Sequence, residues 1–310
     1  MENLASGSNR VHFKSQGLQL AGDLYIPENF DSSNNYPTIV FAGPFNQVKE
    51  QMGAVYGKKL VAKGFVFLAF DHRGYGDSEG DVRNNEKFDW KQEGIRDAIS
   101  FVRTLSFVDR DKVYGLGGCA GGGYMALVAV TDKRLKAIAS VSGVMNPQSM
   151  FFETMTKEQL VPMFLAANES RQRQYESGEV EYADGYGYEG VDPNTLADGA
   201  RKEGFDYYMT ERAGTTTYPH FSIHTVANLL EDQPMTNPTA WAPYLYTPYL
   251  GIYGEKAMGD TGPLTVNYHA ACSEPKELFE VSGATHVSLY DIDADVDRAV
   301  ERIDEFFKKY

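Results

Sequence analysis

The chain is expected to fold as an α/β protein, a mostly parallel twisted sheet with helices on both faces, and three observations point there. Strand-like and helix-like segments alternate through the first half, as they do when covering helices join parallel strands. Residues 65–70 are a continuous apolar run, as a central parallel strand should be, and 38–42 read as another buried strand. Between a strand-like run at 112–116 and a helix-like run at 124–130 lies Gly117-Gly118-Cys119-Ala120-Gly121, a glycine-flanked sharp turn.

The elements follow in order. Residues 10–26 read as a hairpin about Gln16-Gly17, stopped by Pro27. The strand at 38–42 leads to a helix over 51–63, with Met52, Val55, Tyr56 and Leu60 on one face. The strand at 65–70 runs into Asp71-His72-Arg73-Gly74-Tyr75-Gly76-Asp77-Ser78, and a helix over 90–105 carries Ile95, Ile99 and Val102 inward. After the glycine turn comes a strand at 135–141. The rhythm then breaks until a strand at 249–253, and the chain closes with a strand at 276–281 and an amphipathic helix over 293–309 that buries Val296, Val300, Ile303 and Phe307.

So long an irregular stretch inside a compact fold points to function. It is too rich in tyrosine to be a disordered acidic linker, and helical pieces are expected at 157–167, 196–210 and 223–230. The expected organisation is therefore a core domain of 1–145 and 245–310 with a helical lid, 146–244, inserted into it.

Length and a 42% hydrophobic content allow one substantial core. A net charge of -14 argues against nucleic acid or an anionic membrane as the main partner, since both call for basic patches. The stretch Met1-Glu2-Asn3-Leu4-Ala5-Ser6-Gly7-Ser8 has neither the basic nor the apolar region of a signal peptide, and no apolar run is long enough to span a bilayer, so a soluble cytoplasmic protein is expected. The two cysteines, Cys119 and Cys272, stand in no metal-ligand spacing; neither a structural disulfide nor a cofactor is implied. Homo-oligomerisation is left open.

The glycine turn matches the G-x-nucleophile-x-G elbow, with a thiol as nucleophile. A thiol attacks as thiolate, so Cys119 needs a positive field and a base; a helix starting at Ala120 would supply the first. His286, in Ser282-Gly283-Ala284-Thr285-His286-Val287 just after the last strand, is the expected base. His12, His72 and His269 read as structural or solvated. His220 and His224, four apart in the lid, are too few ligands for zinc and read as pocket lining, together with Tyr218 and Trp241. The order nucleophile, acid, histidine puts the acid in the loop 254–260, where Asp260 is preferred and Glu255 is the alternative. Oxyanion donors are expected at the amides of Ala120 and Phe45, because Pro44 has no N–H. The charged run at 71–78 reads as a polar floor of the site.

With these residues placed, the chain resembles the α/β-hydrolase superfamily along nearly its full length. Asp71-x-Arg73-Gly74-x-Gly76-x-Ser78 is also typical of that superfamily. More narrowly, Val48-Lys49-Glu50-Gln51, Cys119-Ala120-Gly121-Gly122-Gly123-Tyr124 and Gly283-Ala284-Thr285-His286-Val287-Ser288-Leu289-Tyr290-Asp291 resemble its dienelactone-hydrolase-related branch with a cysteine nucleophile, which includes bacterial hydrolases and fungal polyketide transferases and thiohydrolases. Relatives often carry serine at position 121 and a small residue at 45, so Gly121 and Phe45 are departures. The resemblance implies Cys119 as nucleophile, His286 as base and Phe45 and Ala120 as oxyanion donors, acting on a small-molecule acyl substrate. The function expected is hydrolysis of an ester, lactone or thioester through an acyl-enzyme. The alternatives are acyl transfer or cyclisation of a polyketide-like chain, and a small-molecule-binding protein that keeps the frame without turnover.

Overall fold

The computed structural model describes residues 4–310; Met1 to Asn3, the start of the N-terminal stretch read above, lie outside the described residues. The core begins with strands β1 (Gly7–Ser15), β2 (Leu18–Ile26) and β3 (Tyr36–Ala42), helix α1 (Met52–Val61), strand β4 (Val66–Phe70), helix α2 (Phe88–Val102), strand β5 (Val108–Gly118), helix α3 (Ala120–Thr131) and strand β6 (Ala137–Val141). The segment that follows carries α4 (Pro147–Phe152), α5 (Lys157–Ser177), β7 (Tyr182–Asp184), α6 (Ala200–Tyr208) and β8 (His224–Val226). The core then resumes with β9 (Tyr249–Gly254), α7 (Gly262–Ala271), β10 (Lys276–Val281), α8 (Ser288–Asp291) and α9 (Asp293–Lys309).

Eight strands form one sheet in the order β1-β2-β4-β3-β5-β6-β9-β10. β2 runs antiparallel to both its neighbours, and every other pairing is parallel. The β1-β2 hairpin turns on Gln16 and Gly17 with φ of 49° and 82°, the two positive values of a type I′ turn. Phe67, Leu68, Ile39, Val40, Leu116 and Ile138 are buried, because helices cover both faces of the sheet. α1 and α9 lie on one face; Phe307 of α9 stacks on Tyr114 with ring centroids 4.6 Å apart. On the other, Ile95 and Ile99 of α2, Val128 of α3 and Tyr268 of α7 complete a second apolar layer.

The stretch between β6 and β9 has structure of its own, and one expectation within it fails. Residues 223–230 do not form a helix: β-branched Thr225 and Val226 extend in β8, which pairs antiparallel with β7 (His224 with Asp184, Val226 with Tyr182). α5 is also twice as long as its periodicity suggested, running on to Gly178, whose φ of 78° ends it in a left-handed cap. Among the described residues no helix is long and apolar enough to cross a membrane.

Candidate active site

Cys119 stands between the last residue of β5 and the first of α3, with φ 49° and ψ -119°. A non-glycine residue in this region stores on the order of 1–3 kcal/mol. Neighbouring backbone holds it there: Cys119 N–H donates to Val141 O (3.0 Å), and its carbonyl accepts from Gly122 N–H (3.0 Å) and Val144 N–H (2.9 Å). Gly121 must be glycine, since a Cβ there would lie 2.1 Å from the Ala42 carbonyl oxygen. The serine common at this position among the resembling enzymes does not fit this chain.

The loop after β3 closes over the thiol. The N–H groups of Phe45 and Ala120 face the Cys119 sulfur and favour its thiolate. Phe45 is tied to the segment above it: its carbonyl accepts from the Tyr186 hydroxyl (2.6 Å), and the two rings meet edge to face at 5.4 Å. Asn46, with φ 58°, anchors the loop from both sides. Its N–H donates to Glu86 (3.2 Å), while its side-chain amide donates to the carbonyls of Ser222 and His224. Glu86 is buried and saturated, accepting also from Tyr75 (2.5 Å), Tyr124 (2.8 Å) and the buried Lys91 (2.8 Å). The floor is knit by Asp71 with Lys49, and by Arg83, whose guanidinium donates to the carbonyls of Gly76 and Ser78, both at 2.6 Å. Lys49 Nζ lies 2.7 Å from Asp71 and 2.8 Å from Asp77, whereas Arg73 stacks on Trp90 at 4.0 Å.

His286 lies in the loop after β10, and its partners differ from the expected direct carboxylate contact. Nδ1 is 2.5 Å from the Thr261 hydroxyl, which donates to Asp260 Oδ1 at 2.9 Å. Asp260 therefore bears on the imidazole through Thr261. A carboxylate can only accept, so the single Thr261 proton goes to Asp260 and the Thr261 oxygen accepts the proton of Nδ1. That leaves Nε2 as an acceptor, and Nε2 lies 2.8 Å from the Tyr290 hydroxyl. The same hydroxyl meets the Cys119 thiol. Glu255 is not the orienter: it accepts from the Ser282 hydroxyl and the Gly283 N–H, both at 2.8 Å, and so braces the outside of the histidine loop.

Loss of water at the site favours its neutral forms. It pushes the Cys119 thiol above its usual value, against the pull toward thiolate of the neighbouring Tyr290 hydroxyl and the two amides. It carries His286 down to about 4, outweighing the opposing pull of Asp260. At neutral pH the resting pair is thus thiol and neutral imidazole, and the positive end of α3 does not by itself produce a thiolate.

Aromatic residues of the segment between β6 and β9 make a roof. Tyr186, Tyr208 and Phe221 stack in succession, Tyr207 meets Tyr290 edge to face at 5.3 Å, and Cys119 borders this cluster. Polar contacts fasten the roof to the core: Gln47 to Tyr208 (3.2 Å), Gln51 to the Ala213 carbonyl (2.8 Å), and a bidentate Arg212–Asp291 pair at 2.6 and 2.7 Å.

Of the four residues expected to line the pocket, only Tyr218 packs on this cluster. His220 is turned outward to Asp77 (3.0 Å) and His224 to Glu189 (3.3 Å), both imidazoles more than 40% exposed. Trp241 lines a surface hollow with Phe88, Leu127 and Met235. The pairing of β8 with β7 holds His224 on a two-stranded ribbon with its imidazole outward, and Trp241 sits on a 3-10 turn against α3. Glu50, Asp77 and His220 bring three potential ligand atoms within 4.8 Å, but Lys49 and Arg10 already pair with both carboxylates. Thr261 belongs to no motif; Tyr290 lies in the 283–291 stretch without an assigned role, and its signal is the spacing of four from His286, which puts both on one face of a helical turn.

The family whose model matches is described as X-Pro dipeptidyl-peptidase (S15 family), over residues 16–220. The chain is 32% identical to the uncharacterized protein YcjY of Escherichia coli K12, over 97% of this chain and 99% of that one. It superposes on the crystal structure of hypothetical protein PA2218 from Pseudomonas aeruginosa with a TM-score of 0.86 at 30% identity, covering 99% and 94% of the two chains. It also superposes on the α/β hydrolase GrgF from Penicillium sp. sh18 with a TM-score of 0.80 at 21% identity, covering 97% and 98%. In sequence it is 24% identical to the Penicillium polyketide transferase grgF over 95% and 93%. The chain has the α/β-hydrolase fold and belongs to the X-Pro dipeptidyl-peptidase (S15) family.

Proposed function

We propose that the protein is an acyl-processing hydrolase in which Cys119 attacks the carbonyl of an ester, lactone or thioester and carries the acyl group. The observation that carries this reading is the meeting at one sulfur of a strained elbow, two backbone N–H groups and the Tyr290 hydroxyl on His286. On attack, the carbonyl oxygen takes the place between the Phe45 and Ala120 amides, where two donors offset the developing charge. The S–C bond forms, the leaving group departs with a proton returned from His286, and water then cleaves the thioester by the reverse sequence.

Although the family is described by a peptidase activity, the thiol favours activated acyl groups here. A tetrahedral adduct of an amide expels thiolate more readily than amine, whereas one of a thioester has two comparable leaving groups. The narrower likeness to cysteine-type dienelactone-hydrolase relatives belongs to this reading. Acyl transfer is a second reading, favoured by the aromatic roof over Cys119, which limits the approach of water.

The test is a panel of acyl p-nitrophenyl esters, N-acetylcysteamine thioesters and X-Pro anilides offered to wild type and Cys119→Ala. The reading expects turnover of esters or thioesters that Cys119→Ala loses. Turnover of the anilides alone, or undiminished turnover by Cys119→Ala, overturns it. Adding a primary alcohol as acceptor separates hydrolysis from transfer by the product formed.

A further inference from the structure

The geometry points to Tyr290 as a catalytic residue, a proton relay whose hydroxyl lies between the Cys119 thiol and His286 Nε2. This rests on the proposed nucleophile and goes beyond it, since the usual arrangement has the imidazole touch the nucleophile directly.

The hydrogen-bond roles along Asp260, Thr261, His286 and Tyr290 set one direction for the protons. Asp260 takes the Thr261 proton, Thr261 oxygen takes the Nδ1 proton, and Nε2 is left with a lone pair and no proton. The Tyr290 hydroxyl, 2.8 Å away, donates to that lone pair. Its oxygen then keeps a lone pair to accept the Cys119 S–H, with the Tyr208 hydroxyl as its other polar neighbour. The chain of protons runs in one direction, from sulfur to oxygen to nitrogen.

Activation is a double transfer. The S–H bond breaks as an O–H bond forms on Tyr290, and the original Tyr290 proton leaves for Nε2. The products are a thiolate, an unchanged tyrosine and an imidazolium whose Nδ1–H still points through Thr261 to Asp260. No free tyrosinate is needed, which matters because burial holds the Tyr290 hydroxyl well above its usual value. Reversing both transfers protonates the leaving group.

The ring is placed for this by its surroundings. Tyr290 lies on α8, four residues from His286, with its face against Tyr207 at 5.3 Å and the whole side chain 1% exposed. Nothing in that apolar packing requires a hydroxyl, so the hydroxyl can be removed or altered with the ring kept.

The experiment follows acyl-adduct formation with an activated ester across pH in wild type, Tyr290→Phe, Cys119→Ala and a chain with ring-fluorinated tyrosine at position 290. A relay predicts that Tyr290→Phe acylates about 100-fold more slowly with little change in KM. It also predicts that the fluorinated ring, with a more acidic hydroxyl and the same packing, moves the acylation profile to lower pH. If Cys119→Ala forms no adduct while Tyr290→Phe acylates within about twofold of wild type, or the fluorinated chain keeps the wild-type profile, the relay is overturned and the nucleophile stands. If Cys119→Ala still forms the adduct, the nucleophile assignment falls and takes the relay with it.

Discussion

The two halves of the site are built on different principles. On the elbow side, Cys119, Ala120 and Phe45 are placed by backbone: three hydrogen bonds hold Cys119, and Gly121 lies against Ala42 with no room for a side chain. On the histidine side, Asp260, Thr261, His286 and Tyr290 act through side chains that reach one another from a loop, a helix start and a short helix. The first half resists change until it breaks; the second can be tuned one hydroxyl at a time.

The largest effect is expected from Gly121→Ser. Its Cβ must displace the end of β3 and with it the Phe45 amide, so acyl-adduct formation should fall on the order of 1000-fold, with a loss of about 1–3 kcal/mol in unfolding free energy from overpacking. A Gly121→Ser chain that keeps wild-type acylation would show that the elbow is not placed by its backbone. Next comes Thr261→Val, which keeps the side chain's shape but leaves Nδ1 and Asp260 unconnected. Acylation should drop about 100-fold, and Asp260→Asn, which leaves the Thr261 bridge an amide oxygen to donate to, about tenfold. Glu255→Gln should match wild type in acylation, and a deficit as large as that of Asp260→Asn would restore Glu255 as the orienting acid.

The smallest effect is on stability and comes from two histidines. His286 titrates in the folded state at about 4, and His72, buried against Phe70 with neither ring nitrogen bonded among the described residues, well below its usual 6.5. Between those values and 6.5 the unfolded chain binds protons that the folded chain refuses. Stability is therefore full above 6.5 and declines as pH falls through that window. The melting temperature should drop on acidification, and less steeply in His72→Leu. An equal slope in the two would remove His72 from the account.

The same division explains what could be read from sequence. The order of strands and helices in the core was legible because apolar periodicity is local, and Cys119 because a strained turn demands glycines at fixed offsets. Asp260 lies next to the link that Thr261 supplies, but a hydroxyl between acid and imidazole leaves no pattern of its own. Tyr290 stands within the histidine stretch with no signal of a role, since one more tyrosine in an aromatic chain looks like packing. His220, His224 and Trp241 are not pocket lining, because residue type alone does not say which side of a segment a side chain takes; β8, formed by a pairing 40 residues distant at His224, decides it there.

The most direct measurement of the central claim is a rapid-quench experiment with an activated thioester, followed by mass analysis of the digested protein. One acyl group per chain, on the peptide that contains Cys119, formed before steady-state product release, is the predicted result. Steady turnover with the Cys119 peptide unmodified at every time point would contradict it.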